Sequence, residues 1–117
     1  MPAHLGDRVR THLLRRKTPE VPITLHPQSR RWMFLVQPDI APDDTQLFYD
    51  LFHLNVSLVP PGAAITLPSP IEATRDLPHW VTAPCNDFRP SGVLVLDALS
   101  ACTGAKLGRS FDTVAAR

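Results

Sequence analysis

Long apolar runs are missing from this chain. No stretch approaches the ~20 residues needed to cross a bilayer, and the first residues, MPAHLGDRVR, lack the apolar core of a secretion signal. A soluble protein made in the cytoplasm is expected. Cysteine is scarce. Cys85 and Cys102 stand far apart with no Cys-x-x-Cys pair, and they read as two reduced, mostly buried thiols rather than a disulfide or a metal site. Paired metal-ligand spacing is absent among His4, His12, His26, His53 and His79, and metal ligation needs several such groups brought together. No G-x-S-x-G is present, and Cys102 has no local reason for a depressed pKa beyond a possible helix start. Thr103 to Ser110, TGAKLGRS, mixes Gly, Lys, Arg and Ser but lacks the G-x-x-x-x-G-K-[ST] spacing that surrounds a phosphate with backbone amides. The acids Asp43, Asp44 and Asp50 sit where helix caps are expected rather than as an acid and base pair. A non-enzymatic chain without cofactor or metal is the expectation.

Proline is what the chain has in excess: 13 of 117 residues, about twice the usual ~5%. Each proline fixes φ and removes a donor, so long helices and central strands are excluded over most of the chain. With 44% hydrophobic and 20% charged residues, the composition is that of an ordinary globular protein. At 13.0 kDa there is room for one modest core. Net charge is only +1 but unevenly spread. The basic residues Arg8, Arg10, Arg15, Arg16, Lys17, Arg30 and Arg31 gather at the N-terminal end, and the remainder is acidic. Such asymmetry steers identical copies into head-to-tail contact or draws the basic end to an acidic partner, nucleic acid included. No aromatic residue lies within the basic helix, which weakens a role in stacking on single strands.

Along the chain, Asp7 is placed to cap a helix from Arg8 to about Lys17, with Leu5, Val9 and Leu13 on one face. VPITLHP alternates as a short edge strand. Trp32 to Val36 is open between a helix capped by Ser29 and a buried strand that pairs back as a hairpin. Asp43 or Asp44 caps a helix TQLFYDLFHL, with Leu47, Leu51 and Leu54 on one face and Phe48 and Phe52 on its shoulder. Asn55 tolerates the left-handed conformation of a helix stop. Pro60, Pro61 and Gly62 make a corner, and Ala64 to Leu67 a strand closed by Pro68. Ser69 to Ser91 reads as an extended arm anchored by Trp80 and Phe88. GVLVL, Gly92 to Leu96, reads as a strand, followed by a weak helix capped by Asp97.

Residues 43–68 resemble the tail protein X and baseplate LysM-like family of contractile-tailed phages and related injection systems. The resemblance rests on Asp44, Leu47 with Phe48, Leu51, Asn55, Leu58, Pro60 to Gly62, and Ile65 to Pro68, in that order. It implies an α+β fold: a basic N-terminal helix over 1–20, a small LysM-like β-α-(α)-β core over 21–68, and a Pro-rich arm over 69–117 with a strand at 92–96 and a C-terminal helix. The core would hold Leu47, Phe48, Leu51, Leu58 and Ile65. The implied role is a structural adaptor of a virion tail or baseplate, self-associating and bound to other tail proteins through Trp80, Phe88, Val93, Leu94, Val95 and Leu96. Two other classes are a peptidoglycan-binding LysM protein and a small nucleic-acid-binding regulator using the basic helix. The first is disfavoured because the family's Gly-Asp step after the first strand is replaced by Pro27, Gln28 and Ser29.

Overall fold

A computed structural model describes residues 1–17, 20–40, 43–59, 65, 67–68, 77–84 and 89–104. The elements in chain order are α1 (Ala3–Arg15), β1 (Ile23–His26), β2 (Arg31–Phe34), α2 (Thr45–His53), β3 (His79–Thr82) and α3 (Gly92–Thr103). This is a small α+β domain of three helices and one three-stranded antiparallel sheet.

The sheet order is β2-β1-β3. The β1–β2 hairpin pairs Ile23 with Phe34 and His26 with Arg31 around the turn 27–30, which settles Trp32 to Val36 in favour of the hairpin. Arg30 takes φ 54 in that turn. β3 falls inside the stretch expected to be an extended arm and joins the far side of β1, with Val81 bulged between Thr82 opposite Ile23 and Trp80 opposite Thr24. A four-residue strand flanked by Pro78 and Pro84 carries too short an alternation to stand out in sequence. Its pairing supplies what its pattern does not. The β-α-(α)-β order expected of a LysM-like core is not what surrounds β1, because both of its neighbours are β2 and β3. Of the strand expected over Ala64–Leu67, the described residues Ile65 and Leu67 are exposed and belong to no strand. The Pro60–Gly62 corner lies outside the described residues.

α1 begins at Ala3, five residues before the expected start, and Asp7 is an exposed residue within it rather than its cap. No side chain caps this helix. Instead the Ala3 N–H donates to the Arg30 carbonyl at 3.0 Å, so a tertiary contact satisfies a group that helix starts otherwise leave open. The periodicity was legible: Leu5, Val9 and Leu13 are all buried. Gly6 lies so close to the sheet that a Cβ there would stand 2.8 Å from Trp32 Cε3.

α2 is capped by Asp44, whose carboxylate accepts the Leu47 N–H at 3.1 Å. It ends as the sequence implies, with Asn55 at φ 59. The Val56 N–H donates to Leu51 O and the Asn55 N–H to Phe52 O, a Schellman stop in which buried Val56 also meets buried Leu51.

The largest correction concerns GVLVL. It is the first turn and a half of α3, not a strand, and Asp97 lies inside the helix rather than at its cap. The helix starts at Ser91, whose Oγ accepts the Val93 N–H at 3.1 Å, and Asp39 accepts the Gly92 N–H at 2.9 Å as well as the Ser91 hydroxyl. Short apolar runs rich in valine fit a strand or a buried helix equally, and length decides. Here the apolar pattern resumes after Asp97 with Ala98 and Leu99, and Gly92, Val95, Leu96 and Leu99 form one buried face at helical spacing. Arg8 donates to the Cys102 carbonyl and Arg16 pairs with Asp97 at 3.1 Å, so α1 and α3 run antiparallel. A single apolar cluster joins Leu5, Val9 and Leu13 of α1, Leu47 and Leu51 of α2, and Val95, Leu96 and Leu99 of α3. It crosses the expected boundaries at residues 20 and 68.

Candidate functional site

The expected partner contacts are redistributed by the fold. Val95 and Leu96 are core residues of α3, and Val93 is half-buried against that core. They are not free to add a strand to a partner's sheet. Leu94 is exposed on the opposite side of α3. Trp80 is half-buried opposite Thr24 in β3, engaged in the chain's own sheet. Phe88 lies outside the described residues.

The basic residues do not form one patch. Arg30 and Arg31 flank the start of α1, while Arg15, Arg16 and Lys17 stand at its other end, about 20 Å away along the helix. That separation exceeds the ~8 Å over which exposed charges act at physiological salt. Arg8 and Arg16 are turned to α3 by the two contacts already given. Half-buried Arg10 lines a small cleft with Glu20, Val21 and Thr82. Arg31 donates to the Asn55 side chain at 3.1 Å and to its carbonyl at 2.7 Å, tying the hairpin to the stop of α2.

Two other features come forward. The first is the outer side of α2. Leu47 and Leu51 are 1% exposed, but Phe52 of the expected shoulder is 78% exposed and Tyr49, one turn before it, 61%, so these two make a second apolar face turned to solvent. Tyr49 stacks edge-on with His53 at 4.5 Å between ring centroids. Phe48 and Ile65, expected in the core, are also partly exposed. The sequence did carry a signal for this face: Leu47, Phe48, Tyr49, Leu51, Phe52 and Leu54 span more of the helix than one buried stripe accommodates.

The second is a groove of ≈ 940 Å³ running beside β2, between the segment 56–59 and α3. Its lining is mainly apolar, with Trp32, Phe34, Val36, Phe48, Leu58 and Leu96 among it, and the described lining includes Arg31, Arg89 and the Met1 amine but no carboxylate. Met1 sits at the hairpin end. Its ammonium donates to Trp32 O at 2.9 Å, and the Trp32 N–H donates to Met1 O at 2.8 Å. Burial, and secondarily the charge of Arg31, lowers the Met1 α-amine from 8.0 to about 6. The buried Nε2 of His26, at the same end, has no hydrogen-bond partner.

Among the described residues no group of three or more His, Cys, Asp or Glu is arranged to hold a metal ion, and no helix is long and apolar enough to cross a membrane. Cys102 is a free, half-buried thiol, and Cys85 lies outside the described residues. No family model, no curated protein and no solved structure matches this chain.

Proposed function

We propose that this chain is a non-enzymatic docking module, a structural adaptor of a phage tail or baseplate or of a related injection machine, resident in the virion tail after synthesis in the host cytoplasm. The observation that carries the docking reading is the outer face of α2, where Tyr49 and Phe52 stand exposed on a helix whose other side is anchored in the core. Aromatic side chains combine large apolar area with few rotatable bonds, which makes them efficient anchors in a partner's pocket. The helix that presents them is held at both ends, by Asp44 and by the Asn55 stop with its Arg31 clamp. A pre-ordered helix loses little entropy on docking. The occupant is an apolar groove on a neighbouring protein of the assembly.

The tail or baseplate assignment is the finer part of the proposal. It rests on the resemblance of residues 43–68, of which Asp44 as cap, Leu47 and Leu51 as core and Asn55 as stop hold the expected positions. The LysM-like reading of residues 21–68 draws its support from α2 and its stop, and none from the order of the sheet.

A photo-crosslinking side chain placed at position 52, and separately at exposed Leu14 on α1 as a control, tests this in cells that assemble the particle. A discrete adduct with a tail or baseplate protein from position 52 but not 14 is the expected result. No adduct at 52 from the folded chain overturns docking through α2. An adduct only with a second copy replaces the adaptor with a homo-oligomer.

A further inference from the structure

The groove beside β2 meets that strand in a way that docking through Tyr49 and Phe52 does not use. All of residues 31–38 line it, without a gap. Successive side chains of a strand point to opposite faces of the sheet, so a groove lying on one face would meet every second residue. One that meets them all runs along the edge. β2 is an outer strand of the order β2-β1-β3, and an outer edge is where main-chain groups are left to pair with another chain.

The register shows which of these groups are open. Residues of an antiparallel pair turn their main-chain groups alternately toward the partner strand and away from it. The Leu35 N–H donates to Pro22 O at 2.9 Å, in step with Thr24 opposite Met33. Met33 and Leu35 therefore face β1, and Trp32 and Phe34 face the groove. The hairpin end of this edge is filled, since the Trp32 N–H donates to Met1 O at 2.8 Å and Pro2 bridges Arg31. Phe34 is the next outward position, and neither its N–H nor its C=O has a hydrogen-bond partner among the described residues.

Covering these two groups with an occupant unable to pair with them is costly, which disfavours an acyl chain or any other purely apolar ligand. An extended peptide answers both, because one residue of an antiparallel partner exchanges both bonds with Phe34. From Phe34 to Pro38 extended backbone covers roughly 14 Å, the span of about five residues. Val36, Leu58 and Val59 offer apolar contacts along it. The charged side chains of the described lining are Arg31 and Arg89, with no Asp or Glu. Arg89 precedes Pro90, whose carbonyl accepts the Gln37 N–H at 2.8 Å, so its positive charge stands at the end away from the hairpin.

We propose that the outer edge of β2 docks an extended apolar segment of a partner protein, paired antiparallel through the main chain of Phe34 and carrying an acidic residue opposite the charge of Arg89. The site does not involve Tyr49 or Phe52, so this proposal and docking through α2 fail independently.

Selection from a random heptapeptide library on the full chain supplies the probe, which is then synthesised with blocked ends. The selected sequences are expected to alternate apolar and polar residues and to contain Asp or Glu. In NMR of the full chain, the bound peptide is expected to slow solvent exchange of the Phe34 amide and to leave the signals of Tyr49 and Phe52 in place. N-methylation of the peptide backbone at one position is expected to weaken binding about tenfold, and replacing the peptide's acid by its amide about threefold. Both changes are made in the peptide, so folding of the chain is not at stake. Failure to enrich any sequence overturns the proposal, as does a bound peptide that leaves the Phe34 amide exchanging freely. Affinity indifferent to N-methylation at every position rules out main-chain pairing, and enrichment of basic peptides rules out the acidic partner. A Phe34 amide already protected without peptide also overturns it: protection independent of protein concentration assigns the edge to the chain's own residues, and protection that rises with concentration assigns it to a second copy.

Discussion

Single residues decide how closely the layers of this protein approach. Gly6 is the clearest case: it sits in the middle of α1, where alanine is intrinsically better by about 0.5–1 kcal/mol, yet a Cβ would meet Trp32 at three atoms between 2.8 and 3.1 Å. One of these atoms is the Trp32 Cβ, which the hydrogen-bonded strand holds in place. Overpacking of this kind costs about 1–3 kcal/mol, so Gly6→Ala is expected to lower stability by about 1 kcal/mol despite the better propensity. Urea unfolding followed by circular dichroism measures it, and a gain in stability would show that the α1–Trp32 contact is looser than described. The same scale shows why the basic residues resisted a collective role. Arg8, Arg16 and Arg31 each have a specific partner in Cys102, Asp97 and Asn55, on elements the sequence does not place beside them.

At the scale of elements, each helix is started differently, and the difference tracks what sequence reasoning was able to find. α2 carries its own cap in Asp44 and its own stop in Asn55, and both are readable locally. α1 borrows the Arg30 carbonyl for its first N–H, and α3 borrows Asp39 from a loop more than fifty residues away. Without knowledge of that carboxylate, Asp97 was the acid nearest in sequence and drew the helix start to the wrong place. A carboxylate at a helix start acts both as hydrogen-bond acceptor and as a charge on the helix dipole. Asp39→Ala is therefore expected to lower stability by about 1–2 kcal/mol, and Asp39→Asn, which retains an acceptor, by less. Thermal or urea unfolding distinguishes them. Equal losses in the two variants would assign the effect to charge alone.

For the molecule as a whole, the shared core makes α1 a structural partner rather than an appendage. Leu5, Val9 and Leu13 are buried where α1 packs on α3 and β2, in the apolar cluster that joins all three helices. Burying each aliphatic side chain contributes about 1.5–3 kcal/mol, so together they approach the 5–15 kcal/mol of a typical domain's net stability. Deleting residues 1–17 also removes Met1 and Ala3, which hydrogen-bond the hairpin. The truncated chain is expected to lose its cooperative unfolding transition. A sigmoidal urea melt with an undiminished slope would instead establish residues 18–117 as an independent folding unit.

The sequence by itself determined the buried faces of α1 and α2, the stop of α2, its cap to one of the two acids Asp43 and Asp44, and the hairpin as one of two options for Trp32 to Val36. These follow from side-chain periodicity and from caps that lie within a few residues of the element they serve. Tertiary structure alone decided that GVLVL coils into α3, that a segment bounded by prolines becomes β3, and that the basic residues disperse. An apolar run of five fits either backbone, and only a carboxylate on a distant loop with a buried face against α1 selects the helix. The groove and the exposed aromatics of α2 are likewise products of how the elements are spaced. Apolar pattern says which side chains seek burial, but the room left between packed layers decides which of them obtain it.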